Sequence, residues 1–243
     1  MPIKEKRVET QQHILQSLPI FIISYNRPTY LRRLLDFLDG RQLLKNVIII
    51  DNASSYPPLF ALYRSARVRV ERLRDNMGHL ALWRSRRFED IISRTPFILT
   101  DCDILPDAAC PDDFLAYFYH CLMSQPALTK VGFSLNIADL PDHYADKAQV
   151  VQWESQFYRT KIAGTALYDA PIDTTFALCR PNVRPQNPAW WNSARTAPPY
   201  MARHLPWYED SSQPDAELTY YLAHIRKDSS HWFTERAHPQ ALR

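Results

Sequence analysis

The residues best placed to do chemistry lie in Phe97-Ile98-Leu99-Thr100-Asp101-Cys102-Asp103-Ile104-Leu105-Pro106. A short apolar run with strand character ends in two carboxylates one residue apart, and a proline then stops the regular structure. Along an extended chain residues 101 and 103 point to the same side. Two carboxylates facing one way repel each other unless a cation lies between them. A hard divalent ion, Mg²⁺ or Mn²⁺, suits that place, because it takes oxygen ligands and keeps positions for phosphate oxygens. An acidic turn after any strand has the same pattern, so the pair gains meaning only from what surrounds it.

The elements that must position the pair follow from hydrophobic periodicity. Leu18 to Tyr25 is a short apolar run bounded by turn formers, which predicts a buried strand, and Asn26-Arg27-Pro28-Thr29 makes the turn after it. Leu31, Leu34, Leu35 and Leu38 recur at helical spacing, with Arg32, Arg33, Asp36 and Asp39 opposite, up to Gly40. A second buried strand, Val47 to Ile50, closes in Asp51-Asn52-Ala53-Ser54-Ser55. A helix is predicted over Tyr56 to Ser65, a more exposed strand over Val68 to Leu73, and a single helix over His79 to Ser93 after the turn at Asp75-Asn76-Met77-Gly78. The strand carrying Asp101 and Asp103 comes fourth. Alternation of this kind predicts an α/β fold with a parallel sheet and right-handed crossovers. Ligands of such sheets bind beyond the carboxyl ends of the strands, where each of these polar clusters falls.

Composition narrows the class. The 243 residues are 46% hydrophobic and 23% charged, as expected of a globular chain with a substantial core. No apolar run is long enough to span a membrane, and Met1 to Glu9 is charged where a secretory signal would be apolar. The four cysteines show neither zinc-type pairing nor a disulfide framework, so a cytoplasmic setting is expected. The net charge of +3 is unevenly spread: Arg64, Arg67, Arg69, Arg72, Arg74, Arg84, Arg86 and Arg87 crowd one region. They could meet phosphates, an acidic acceptor or an anionic membrane surface, and a solvated basic face accounts for most of them.

Four motifs now stand in order: Ile20-Phe21-Ile22-Ile23-Ser24-Tyr25-Asn26-Arg27-Pro28, Ile48-Ile49-Ile50-Asp51-Asn52-Ala53-Ser54-Ser55, Asn76-Met77-Gly78-His79 and Asp101-Cys102-Asp103. Their order and spacing resemble the GT-A fold glycosyltransferases, most closely the family 2-like bacterial enzymes, over residues 18–106. The resemblance implies a GT-A, Rossmann-like, mostly parallel sheet flanked by helices, with a smaller acceptor-side region. It implies that Ser24, Tyr25, Asn26 and Arg27 line a nucleotide and that Asp51 hydrogen-bonds its base. Asn76 and Gly78 would lie beside the nucleotide, with Arg84 or Arg87 meeting a phosphate or the base. Asp101 would contact ribose or a metal-bound water, or ligate the metal, and Asp103 would bind Mn²⁺ or Mg²⁺ directly. A histidine late in the chain, here His204, would be a third ligand.

The second half is less regular. Asp112 to Met123 predicts an amphipathic helix, Val131 to Leu135 a strand, and Ala170 to Leu178 a strand with Asp173 at its entrance. Trp153 to Tyr158 mixes aromatic and polar residues and suits a sugar-stacking surface or a core edge equally. Residues 181–202 hold prolines, Trp190, Trp191 and little periodicity, which predicts a flexible functional loop of the kind that closes over a donor. An inverting transfer needs a carboxylate base for the acceptor hydroxyl; Asp173 is the first choice, with Glu154, Glu209 and Asp210 as rivals.

The organisation expected is a lead-in over 1–17 with helical character from Lys4, a nucleotide-sugar-binding half over 18–106, an acceptor half over 107–228 that includes helical Glu217 to Ile225, and an exposed or partner-facing tail over 229–243. The function expected is a metal-dependent transferase. It would move a sugar from a nucleotide-diphosphate sugar, a UDP-sugar first, to a glycan or lipid-linked acceptor in surface polysaccharide synthesis. No nucleic-acid partner is expected, and peripheral attachment at the inner membrane face is compatible with the basic patch. A sugar-phosphate nucleotidyltransferase is the first rival, although the loop Ser24 to Pro28 lacks the glycines such enzymes carry. A non-catalytic protein of the same fold is the second.

Overall fold

The structure, a computed structural model, describes residues 15, 17–210 and 212–225. The predicted lead-in helix from Lys4 and the tail over 229–243 lie outside the described residues. Strand β1, Ile20–Ser24, is buried at every position and lies between two parallel neighbours, β2 (Val47–Asp51) and β4 (Phe97–Asp101). Strand β3, Arg69–Arg72, adds to the outer side of β2 and leaves its arginines exposed, as its polar sequence requires. Helix α1, Pro28–Asp39, buries the predicted stripe Leu31, Leu34, Leu35 and Leu38, with its proline in the first turn where no amide donor is lost. Helix α2, Pro57–Ser65, begins the same way. Gly40 stays right-handed after α1, and Gln42 takes the left-handed turn at φ 58°.

The predicted helix over His79 to Ser93 is two short ones, α3 (Ala81–Arg84) and α4 (Glu89–Ile92). Arg86, at φ 56°, breaks the run. The break lets Trp83 and Phe88 both turn into the core, where Phe88 meets Phe21 at 4.9 Å and Trp83 meets Trp190 edge-on at 5.0 Å.

After β4 the chain turns at Cys102 and Asp103 into β5, Ile104–Pro106, which belongs to a second sheet. The regular structure therefore ends with Pro106 rather than before it. The acidic pair also does not lie on one extended strand: Asp101 ends β4 and Asp103 lies in the turn. Helix α5, Phe114–Ser124, confirms the predicted amphipathic segment. The strand predicted over Val131 to Leu135 is divided between β6 (Lys130–Gly132) and β7 (Ser134–Leu135), which pair in different sheets. Phe133, fully buried at the crossing, packs on Phe118 at 4.7 Å and Phe176 at 5.4 Å.

The C-terminal part supplies α6 (Lys147–Glu154), β8 (Leu167–Asp169), β9 (Ala177–Cys179), β10 (Ser193–Thr196), β11 (Met201–His204) and α7 (Ala216–His224). The large sheet has the order β3-β2-β1-β4-β9-β6-β10-β8, and the small one β5-β11-β7. The first four strands run parallel; β9 enters antiparallel to both β4 and β6. The fold is a mixed α/β sheet flanked by helices.

Two predictions for this half are corrected. Only 177–179 of the segment predicted as strand from Ala170 is strand, because side chains rather than a ladder hold the backbone before it. Residues 181–202 are more regular than the loop predicted there. They hold a 3₁₀ turn at Pro188–Trp191, capped by the Asn187 side chain, then β10 and the start of β11. Short strands with polar, ion-paired members carry no visible period, which is why the sequence reads as irregular.

The tightest backbone approach is at Gly132, where a Cβ would lie 2.5 Å from Phe176 O and 2.7 Å from the Ala177 Cβ across the β6–β9 pair. Both neighbours belong to rigid sheet, so Gly132→Ala should destabilise the protein by about 1–3 kcal/mol or more, measured by urea unfolding. Full retention of stability would mean the two strands can part more easily than this packing implies.

Candidate active site at the carboxyl edge of the parallel strands

The loops that follow β1, β2 and β3 are fastened to one another by two buried asparagines. Asn26, at φ 53°, accepts from the amides of Ser55 at 2.8 Å and Tyr56 at 2.9 Å, and its own amide donates to Ser54 Oγ at 3.0 Å. Asn52 donates to Asn76 Oδ1 at 2.8 Å and to Gly78 O at 3.1 Å, and accepts from Met77 N at 2.7 Å. Gly78 makes that turn at φ 67°, a region that favours glycine. Arg84 donates to Met77 O at 2.9 Å, and Arg87 pairs with Glu71 on β3. Ser24 is buried beneath Tyr63. The carboxylate of Asp51 is fully buried, accepting from Ser54 N at 3.1 Å and from Arg72 Nε at 3.0 Å.

Arg27 is the buried hinge pin of the C-terminal segment. Its guanidinium pairs with Glu209, lies 3.5 Å from Glu217, and sits over the rings of Tyr30 and Tyr221 at 4.1 and 5.1 Å. Glu217 also accepts from the Thr29 amide and hydroxyl. Helix α7 is thereby drawn over the same loops: Tyr220 donates to Ser55 Oγ at 3.0 Å, and Tyr25 donates to His224 O at 2.7 Å. Of these partners the sequence singles out only Tyr25, read as lining a nucleotide, and Glu209, read as a possible base.

The acidic pair stands at the end of β4. Thr174 donates its hydroxyl to Asp101 Oδ2, and the Asp101 amide donates to Thr174 O at 3.0 Å. Burial, then the Asp103 charge, push the Asp101 carboxyl well above its ordinary range against the Thr174 bond, and the neighbouring Asp173 adds to the rise. At Asp103 burial also opposes ionisation, but the facing His204 imidazole and the Arg27 charge outweigh it and hold the carboxyl below its ordinary value. His204, the last residue of β11, brings Nε2 to 3.4 Å from Asp103 Oδ2. Asp103 Oδ1, His204 Nδ1, Asn26 Nδ2, Arg27 Nη1 and the Tyr30 hydroxyl are all buried with no hydrogen-bond partner among the described residues. Native interiors keep few such atoms.

Among the described residues no three His, Cys, Asp or Glu side chains converge to hold an ion. The expected trio of Asp101, Asp103 and His204 is thus assembled only as the pair Asp103–His204, because Thr174 takes Asp101. Asp173, just before Thr174 in the segment leading to β9, is near enough for its charge to act on Asp101. Its rivals are otherwise engaged. Glu154 is buried and ion-paired to Arg195 at 2.8 Å, with burial pushing its carboxyl up; Glu209 holds Arg27; Asp210 accepts from the amide and hydroxyl of Ser212. Trp153 and Phe157 meet edge-on at 6.0 Å at the end of α6, both half-buried.

A polar site at the carboxyl edge of a mixed α/β sheet is the class of structure on view. No family model matches the chain, and no curated protein does. Among solved structures it is similar to glucosyl-3-phosphoglycerate synthase from Mycobacterium tuberculosis in complex with Mn²⁺ and uridine-diphosphate-glucose, at 15% identity over 72% of this chain and 60% of that one, TM-score 0.43. It is similar to a mycobacterial protein at 12% identity, covering 86% and 72%, TM-score 0.49. It is also similar to a cytidylyltransferase from Leptospira borgpetersenii serovar Hardjo-bovis at 12%, covering 51% and 56%, TM-score 0.36. The chain spans 56% of the length of the cytidylyltransferase and 60% of that of the synthase. Among the described residues no helix is long and apolar enough to cross a membrane.

Proposed function

We propose that the chain is a metal-dependent GT-A type glycosyltransferase that moves a sugar from a nucleotide-diphosphate sugar, a UDP-sugar, to a glycan or lipid-linked acceptor. The observation that carries this reading is the group of unpaired buried atoms around Asp103 and His204, at the edge where the loops after β1, β2 and β3 meet. Asp103 and His204, whose Oδ2 and Nε2 face each other at 3.4 Å, would hold Mn²⁺ or Mg²⁺ as two of its donors, with diphosphate oxygens among the others. Such an ion, when bound, offsets the charge that grows on the departing diphosphate.

The protein's own residues do the rest. Asn26 and Asn52 hold the strand-end loops against the nucleoside. Asp173 takes the proton of the acceptor hydroxyl as that oxygen bonds to the anomeric carbon, with inversion, while the bond to the diphosphate breaks. Work on surface polysaccharide at the cytoplasmic face of a membrane suits the exposed arginines of β3 and its flanks.

Titration calorimetry of the full chain with UDP, in Mn²⁺ and then in EDTA, tests the reading. Binding in Mn²⁺ that disappears in EDTA is the expected result. No heat with UDP, with other nucleoside diphosphates or with their sugars, in any metal, would overturn it.

A further inference from the structure

Lys130 is fully buried in β6, and among the described residues its ammonium has no carboxylate within bonding distance. It donates to Ile172 O and lies 3.3 Å from the centre of the Trp190 ring. Burial pushes the ammonium down to about 8, with Cys179 and Asp173 opposing the fall and Arg195 adding to it. A methionine would fill the same space without the cost of desolvating a cation. The cation is therefore explained by what it holds.

It holds one end of a short backbone stretch that β10 holds as well. Ser193 Oγ accepts from Ile172 N at 2.9 Å and donates to Ala170 O at 3.1 Å. Arg195 Nε donates to Pro171 O at 2.9 Å, and its far side is fixed by Glu154. Backbone groups of residues 170, 171 and 172 are thus gripped by side chains from two strands. The next two residues are Asp173 and Thr174, and Thr174 binds Asp101 through both its hydroxyl and its carbonyl.

We propose that Lys130, acting with Ser193 and Arg195, is a positioning residue that sets where Asp173 and Thr174 stand against Asp101. What the loop accomplishes rests on the transferase reading; how the loop is held does not. The anchoring is rigid because it comes from interior strands, and a displacement of about 1 Å at a reacting group costs on the order of a hundredfold in rate.

The test compares wild type with Lys130→Met and Ser193→Ala, each in the full chain, by three readouts. The first is UDP affinity in Mn²⁺, the second acceptor-independent hydrolysis of a UDP-sugar, and the third amide exchange at Asp101, whose proton is bonded to Thr174. Both variants should bind UDP within about twofold of wild type, since the donor loops are not touched. Hydrolysis should fall on the order of tenfold to a hundredfold, and the Asp101 amide should exchange faster while Ile22 and Ile49 stay protected. Should Lys130→Met fail to fold, Ser193→Ala carries the same test through Ile172 N. Unchanged exchange at Asp101 overturns the proposal, as does a fall in hydrolysis only in step with UDP affinity and global stability. A wild type that binds no nucleotide refutes the transferase reading, and in that case, as for one that binds but hydrolyses no nucleotide-sugar, amide exchange decides the cradle alone.

Discussion

Replacing Asp103 by alanine should leave a folded protein that no longer binds UDP in a metal-dependent way. One oxygen faces His204, and the His204 and Arg27 interactions favour the ionised carboxyl, so the side chain adds modestly to the fold as well as to the site. Its removal gives up those interactions and should lower the melting temperature by no more than a few degrees. Its loss should lower turnover by at least about 10²–10³, the range seen when a group that stabilises developing charge is deleted. His204→Ala should do less, because a neutral donor is replaced more readily by water than a carboxylate. Calorimetry in Mn²⁺ and a thermal melt without nucleotide separate the two effects. A variant that melts early and also fails to bind would make Asp103 a structural residue.

The largest stability effect should come from Arg27→Met. The guanidinium is buried and joins Glu209, Glu217, Tyr30 and Tyr221, residues drawn from α1, the segment before α7, and α7 itself. Taking it away leaves two carboxylates facing each other with no cation. Breaking such a buried pair from one side costs about 3–5 kcal/mol. For a chain of this size that is a fall of roughly 6–12 °C or more in melting temperature. Adding Glu209→Gln and Glu217→Gln to the same variant removes the stranded charges and should recover part of the loss. A double-mutant comparison in which the effects simply add would show that the arginine does not tie α7 down.

Much of the site's framework is legible from apolar periodicity. Strands β1, β2 and β4 are runs of Ile, Phe, Val and Leu buried on both faces, and the turn formers that end them mark the site edge without any knowledge of tertiary contacts. Helix α1 follows from four leucines. What escapes the sequence is of a different kind. Asn26 and Asn52 look like ordinary turn residues, yet each satisfies backbone groups of a neighbouring loop 25 to 30 residues away. Thr174 and Lys130 give no signal, since a threonine in a loop and a lysine in a short strand are read as surface. The strands β9, β10 and β11 are three or four residues long, too short to show a period, and β10 carries buried serine, threonine and arginine, which read as loop; only β9 is touched by a predicted strand. His204 and Asp173 could be named only as single residues, because what places them is pairing across the two sheets.

The insertion of β9 between β4 and β6 sets the order in which the chain can be completed. β4 reaches its partner only when residues 177–179 have been made, about 75 residues after its own end. Until then Phe97, Ile98 and Leu99 present an unpaired, apolar edge. The first four strands are joined by local crossovers and form early, whereas closing the sheet requires non-local pairing, the slow step in folding. A nascent or truncated chain ending near Pro106 therefore exposes the kind of strand edge that recruits other chains. During synthesis the acidic pair at the end of β4 exists before the residues that will secure it, and β9 with the strands that follow it serves as the keystone of an arch already standing on one side.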